Sequence, residues 1–138
     1  MEWKKTSNKT QFLSVVDDEL DIMSLFRDAL SHIDGIQVFG FTDSTLALEH
    51  FKMNQSDYTL MLSDYRMPTM DGMLLLKTVK GIKPSIGTVL MSAFDVEELF
   101  EESKCVDKYL QKPITISDLI DTVETQIGKI TTVTHPQS

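Results

Sequence analysis

FLSVVDDELDIMSLFRDALSHIDGIQVFGF, residues 12–41, decides the fold. It opens and closes on short apolar runs with β-branched and aromatic members, FLSVV at 12–16 and IQVFGF at 36–41, the pattern of buried strands. Between them Ile22, Leu25, Phe26, Ala29, Leu30 and Ile33 recur at i, i+3, i+4, i+7, i+8 and i+11. Only a helix brings that spacing onto one face. The stretch therefore reads as strand, helix, strand.

The same alternation continues outward. TLMLS at 59–63, IGTVLM at 86–91 and KYL at 108–110 are further strands. Leu46, Ala47 and Phe51 mark a second helix, Leu75, Leu76 and Val79 a third, and Val96, Leu99 and Phe100 a short one. Ile116, Leu119, Ile120, Val123 and Ile127 mark a strong last helix. Gly35, Gly81 and Gly128 stand where helix C-terminal caps belong, and Thr115 with Asp118 resembles a capping box. Strands alternating with helices predict an α/β, doubly wound fold, with a five-stranded parallel sheet, right-handed crossovers and helices on both faces. With five strands the expected order is the flavodoxin-like 2-1-3-4-5, whose ligand crevice lies at the carboxyl ends of strands 1 and 3.

A chain of 138 residues with 41% hydrophobic and 25% charged residues has room for one core and no second module. The reading divides it into a mobile polar segment 1–10, one domain at 11–128 and a mobile Thr-rich tail 129–138. Thirteen basic against 21 acidic residues give a net charge of −8, the wrong sign for gripping nucleic acid directly. Cys105, the single cysteine, cannot form an intramolecular disulfide and is expected to be small buried filling. The N-terminus lacks the apolar stretch of a secretory signal, and no run is long enough to span a bilayer. These features predict a cytoplasmic protein with no membrane partner. The methionines suit core and loop packing, and the three histidines share no ligand spacing.

What ends each strand carries the chemistry. Strand 1 ends in Asp17 and Asp18, strand 3 in Asp64 and strand 4 in Ser92, while Lys112 and Pro113 follow strand 5. Asp17 and Asp18 could serve only as helix caps, Asp64 as a turn residue and Lys112 as a solvated charge. Their joint occurrence at four strand ends argues for one site. Three carboxylates in one crevice repel, and an all-oxygen donor set that leaves room for water and a phosphate suits Mg²⁺ better than a Ca²⁺ cage.

The motifs FLSVVDDE, LMLSDYRMPTMDG, TVLMSAF and DKYLQKP, in this order over residues 12 to about 128, resemble a response-regulator receiver domain of two-component phosphorelay signalling. The resemblance implies that Asp64 is the phosphoacceptor, and that Asp17, Asp18, Asp64 and the Arg66 backbone carbonyl hold Mg²⁺, with Mn²⁺ as a substitute. It implies that Ser92 and Lys112 bind the phosphoryl group, that Tyr109 is the switch aromatic, and that the peptide before Pro113 is cis. The implied donor is a phosphohistidine on a sensor histidine kinase or phosphotransfer protein. The implied output is a protein effector docking on the surface of the short helix, strand 5 and the last helix. Such a domain is a regulatory phosphoacceptor and not an enzyme, with only self-phosphorylation and self-dephosphorylation chemistry, and exists as a monomer or weak dimer.

Arg66 and Phe94, two residues after Asp64 and Ser92, are bulky and cannot act as a general base, which predicts slow self-dephosphorylation. The rival in another class is a haloacid-dehalogenase-like phosphohydrolase, which needs an acid where this chain has Arg66. A stand-alone receiver is expected, with a receiver fragment of a larger regulator or hybrid kinase as the alternative. The interval between Ser92 and Lys112 is shorter than usual in the family, and Cys105 and Val106 replace a common Gly-Ala pair, so dimer geometry does not carry over.

Overall fold

The computed structural model describes residues 10–93 and 104–134. The strands are β1 (Gln11–Val16), β2 (Ile36–Phe41), β3 (Tyr58–Asp64), β4 (Gly87–Ser92) and β5 (Lys108–Gln111), and the helices are α1 (Leu20–Leu30), α2 (Ser44–Met53), α3 (Gly72–Ile82) and α4 (Ile116–Thr134). All strand pairs are parallel, in the order β2-β1-β3-β4-β5, as expected from the alternation. The short helix expected around Val96, Leu99 and Phe100, the position of Phe94 and the extreme termini lie outside the described residues.

Two cores form because successive strand residues point to opposite faces. Leu13, Val15, Leu60, Leu62, Val89 and Met91 meet α1 and α4 on one side. Val16, Met61 and Leu90 meet α2 and α3 on the other, with Tyr58 and Phe51 among the largest fully buried side chains. Register then fixes the height of each strand end. Val16 pairs with Ser63, so Asp17 and Asp64 follow at the same level. Ser92 pairs with Gln111, which puts Lys112 one step beyond β4.

Helix faces differ in detail from the stripe read in sequence. In α1 the buried residues are Met23, Phe26 and Leu30, whereas Leu25 is 52% exposed. Gly40 of β2 explains the shift: the sulfur of Met23 sits 2.2 Å from where a Cβ would stand, so the missing side chain admits Met23 to the sheet. Leu46 of α2 is also exposed, leaving Ala47 and Phe51 to pack.

Two of the expected glycine caps lie inside helices. α3 runs through Gly81 and stops at Lys83, whose φ of −131° and ψ of 90° reflect the steric demand of Pro84. α4 runs through Gly128 to Thr134. Gly35, with φ +83°, serves the turn into β2, because α1 has already ended at Ser31. At the N-termini the carboxylate of Asp71 accepts from the Leu74 N–H at 2.8 Å, and the Thr115 hydroxyl accepts from the Asp118 N–H at 3.0 Å.

A polar brace closes the end of the sheet opposite the acidic residues. Asp107, just before β5, accepts from Lys80 Nζ at 2.7 Å and from the Thr88 N–H at 3.0 Å, while its own N–H donates to Thr88. Lys83 Nζ donates to the carbonyls of Gln55 and Tyr58 at 2.7 Å. These bonds fix the starts of β3, β4 and β5 against α3.

The glycines of α3 should respond oppositely to substitution. A Cβ on Gly72 would stand 2.0 Å from the Asp64 carbonyl oxygen, whereas one on Gly81 meets nothing within 4 Å. Gly72→Ala should destabilise by about 2 kcal/mol or more, and Gly81→Ala should stabilise by about 0.5–1 kcal/mol. Urea denaturation checks both; equal effects would contradict this packing.

Candidate functional site

Asp17 follows β1 with its side chain fully buried, and its Oδ1 accepts from the Glu19 N–H at 3.0 Å, part of the capping role a strand-end Asp can play. Its own N–H donates to Phe41 of β2 at 3.0 Å, so its backbone is fixed from the neighbouring strand. Asp18 is exposed beside it. Asp64 ends β3 with 8% exposure. One carboxylate oxygen from each of Asp17, Asp18 and Asp64 lies within 4.8 Å of the others, the acidic cluster found among the described residues.

Lys112 enters the cluster from the far side of the sheet. Its Nζ lies 3.1 Å from Asp17 Oδ2 and 3.0 Å from Asp64 Oδ1, one ammonium shared between two carboxylates. Its backbone N–H donates to the Ser92 carbonyl at 2.8 Å, extending the β4–β5 ladder up to the crevice, and the Lys112–Pro113 peptide is cis. Ser92 ends β4 with 1% exposure. Tyr109, paired with Leu90, is half-buried against the core on the α2 and α3 side. Arg66 is exposed, its guanidinium 5.8 Å from the centre of the Tyr65 ring. The structure thus brings Asp17, Asp18, Asp64 and Lys112 into one crevice, with Ser92 adjoining through the Lys112 backbone.

Burial raises the Asp64 pKa above its usual 3.8, and the charges of Asp17 and Asp18 push the same way against the opposing hydrogen bond from Lys112. For Lys112, burial disfavours the charge, but the hydrogen bond to Asp64 and the field of Asp17 outweigh it and hold the ammonium above its usual range. Three carboxylates against one ammonium leave the cluster short of positive charge. The donor set, all carboxylate oxygen and partly open to solvent through Asp18, fits a small hard divalent cation.

Other groups had no distinct signal in sequence. The Ser63 hydroxyl donates to the Asp64 carbonyl at 2.9 Å, and Gly72 admits that same carbonyl against the start of α3. The Gly72 N–H donates to Tyr65 at 2.8 Å, and the Tyr65 N–H to Met91 at 2.8 Å. Only the Pro-x-x-Asp-Gly turn at 68–72 pointed toward this packing.

Comparison with known proteins agrees with this geometry. Residues 13–124 match the response regulator receiver domain family. The chain is 30% identical over 112 residues to sporulation initiation phosphotransferase F of Bacillus subtilis (strain 168), covering 80% of this chain and 88% of that protein. It is 32% identical over 117 residues to the DNA-binding transcriptional regulator NtrC of Escherichia coli (strain K12), covering 83% of this chain but only 24% of that one. Among solved structures, a response regulator receiver domain protein from Clostridium thermocellum superposes with a TM-score of 0.79 at 26% identity, over 89% of this chain and 98% of the other. The chain belongs to the response regulator receiver domains, the phosphoacceptor switches of two-component systems. The phosphohydrolase alternative has no support in the comparisons, in keeping with a basic residue at Arg66.

The raised pKa of Asp64 has a definite sign for stability. A carboxylate whose folded pKa lies above its unfolded value stabilises the fold while protonated, and loses that contribution as pH rises through the folded pKa. At neutral pH the ionised Asp64 therefore strains the fold. Asp64→Asn should melt higher than the parent at pH 7 in chelator, and the gap should narrow as pH falls toward the ordinary carboxylate range near 3.8. Thermal denaturation against pH decides; a variant that melts lower at pH 7 would contradict the charge balance described.

Proposed function

We propose that Asp64 is the phosphoacceptor of this receiver, taking a phosphoryl group from the phosphohistidine of a sensor histidine kinase or phosphotransfer protein. The observation that most supports this is the shared Lys112 ammonium, 3.0 Å from Asp64 and 3.1 Å from Asp17 in a crevice at the carboxyl ends of the strands. A carboxylate oxygen of Asp64 attacks the phosphorus in line. The new P–O bond forms as the P–N bond breaks, and the departing imidazole nitrogen keeps the electron pair. Lys112 redirects an N–H from the carboxylate to a phosphoryl oxygen, and the Ser92 hydroxyl donates to another.

Asp17, Asp18, Asp64 and the Arg66 backbone carbonyl are the proposed Mg²⁺ ligands, with Mn²⁺ as a substitute. When bound, the cation neutralises charge on the transferring oxygens. Drawing Ser92 toward the phosphoryl group frees space beside β4, and Tyr109, on the adjacent strand, turns in to fill it. The output is carried by a changed surface around β5 and α4 that binds a protein effector. The domain acts as a regulatory phosphoacceptor and not as a turnover enzyme, and as a monomer or weak dimer. Direct nucleic-acid binding is not proposed, given the net charge of −8. Among the described residues no helix is long and apolar enough to cross a membrane, which supports a cytoplasmic location.

Incubation with acetyl phosphate or phosphoramidate and Mg²⁺, followed by intact mass and site mapping, should give one phosphate on Asp64. Asp64→Asn should abolish it, and Asp18→Ala should weaken Mg²⁺ binding by about tenfold. Undiminished labelling of the Asp64→Asn variant would refute the assignment.

Arg66 is proposed to shield the phosphoryl group from water together with Phe94, which lies outside the described residues. Arg66→Asn and Phe94→Glu should each speed decay of the phosphorylated protein by about threefold or more, as loss of an excluding side chain opens the approach. Unchanged decay in both variants and in their combination would show that these side chains do not set the lifetime.

A further inference from the structure

The loop at 65–71, after Asp64, holds the one non-glycine residue with left-handed backbone among the described residues. Thr69 has φ 71°, a conformation that a β-branched side chain resists. It is the centre of a three-residue turn closed by the Met70 N–H donating to the Pro68 carbonyl at 2.7 Å, a strained geometry. The ends of the loop are fixed by bonds already described, from Gly72 to Tyr65 and from Leu74 to Asp71. Its middle is held by another element. The hydroxyl of Ser44, the first residue of α2, donates to the Met70 carbonyl at 2.8 Å.

That hydroxyl is not needed to cap its own helix. Asp43 already does so, accepting from the Thr45 N–H at 2.8 Å and from the Thr45 hydroxyl at 2.7 Å. Ser44 is only 1% exposed, so its hydroxyl, out of reach of solvent, finds its partner in the loop.

We propose that Ser44 is a positioning residue: through the Met70 carbonyl it holds Thr69 in its left-handed conformation, and so sets from α2 the course of the loop that carries the Arg66 carbonyl. The metal-binding consequence rests on the function proposed above, whereas the tether itself does not.

The test is a double-mutant cycle on the full chain with Ser44→Ala and Thr69→Gly, with two readouts: the Mg²⁺ dissociation constant by calorimetry, and amide hydrogen exchange across 65–72 in chelator. Ser44→Ala should weaken Mg²⁺ binding about threefold or more and speed exchange at the Gly72 amide about tenfold. Added to Thr69→Gly, the same substitution should change either quantity by less than about 1.5-fold, because glycine adopts this conformation without support. Thr69→Gly alone, which does not depend on how well a Ser44 variant folds, should stay within about twofold of the parent in both.

Equal effects of Ser44→Ala in both backgrounds would indicate a general loss of packing and overturn the proposal. So would no effect in either, or a Thr69→Gly defect as large as that of Ser44→Ala. A parent that binds no Mg²⁺ would refute the functional reading instead, leaving the exchange cycle to judge the tether.

Discussion

Two carboxylates that leave adjacent parallel strands at the same height repel one another, and the rest of the site is arranged around the ammonium that relieves them. Asp17 and Asp64 are placed side by side by the pairing of Val16 with Ser63, which the two cores enforce. A one-residue slip would turn every core side chain of a strand to the wrong face, so the fold cannot ease the repulsion by sliding. Like charges about 5 Å apart at an effective dielectric of about 20 repel by on the order of 3 kcal/mol, a large share of an ordinary domain's stability. Lys112 offsets this because the β4–β5 ladder carries its backbone to the Ser92 carbonyl before the side chain turns inward.

The compensation is incomplete, and this makes the crevice responsive. One ammonium, bonded to two of the three acids, leaves negative charge over that would attract a divalent cation. The proposed phosphoryl group on Asp64 would reverse the demand near Lys112, adding acceptor oxygens that compete for the N–H groups now held by Asp17 and Asp64. Cation and phosphoryl group would therefore act on the same balance from opposite sides. The raised pKa values of Asp64 and Lys112 reflect that setting: burial first, and then the neighbouring acids, raise the carboxylate, while the hydrogen bond to Asp64 and the field of Asp17 hold the ammonium up against burial.

Periodicity made the layers legible, since a 3.6-residue stripe and short β-branched runs are consequences of burial itself. Hence strand order and the acids at the strand ends could be read before any contact was seen. The exact helix face could not be, because it depends on what the sheet leaves open. Met23 displaces Leu25 from the buried face of α1 only because Gly40 has no side chain. Gly81 looked like a cap, yet Pro84 ends α3. The bonds from Ser44 to Met70 and from Ser63 to Asp64 were equally silent, as a serine hydroxyl carries no signature of the partner it will find.

The phosphoryl group proposed for Asp64 would also have to displace something, and the unequal anchoring of the strands says where. β3 is buried along nearly its whole length, and the Asp64 carbonyl is pinned by the Ser63 hydroxyl and packed against Gly72. α2 and α3 hold the following loop at both ends and in the middle. β5, by contrast, is a four-residue strand whose residues are all exposed or half-buried, paired among the described strands with β4 alone, and braced by Asp107 at its start and by the Lys112 amide at its end. Local opening is cheapest where burial is least. If Asp64 is phosphorylated as proposed, the strain would pass through Lys112 and the end of β4 into β5, which carries the half-buried Tyr109, while the more deeply buried β3 would hold Asp64 in place.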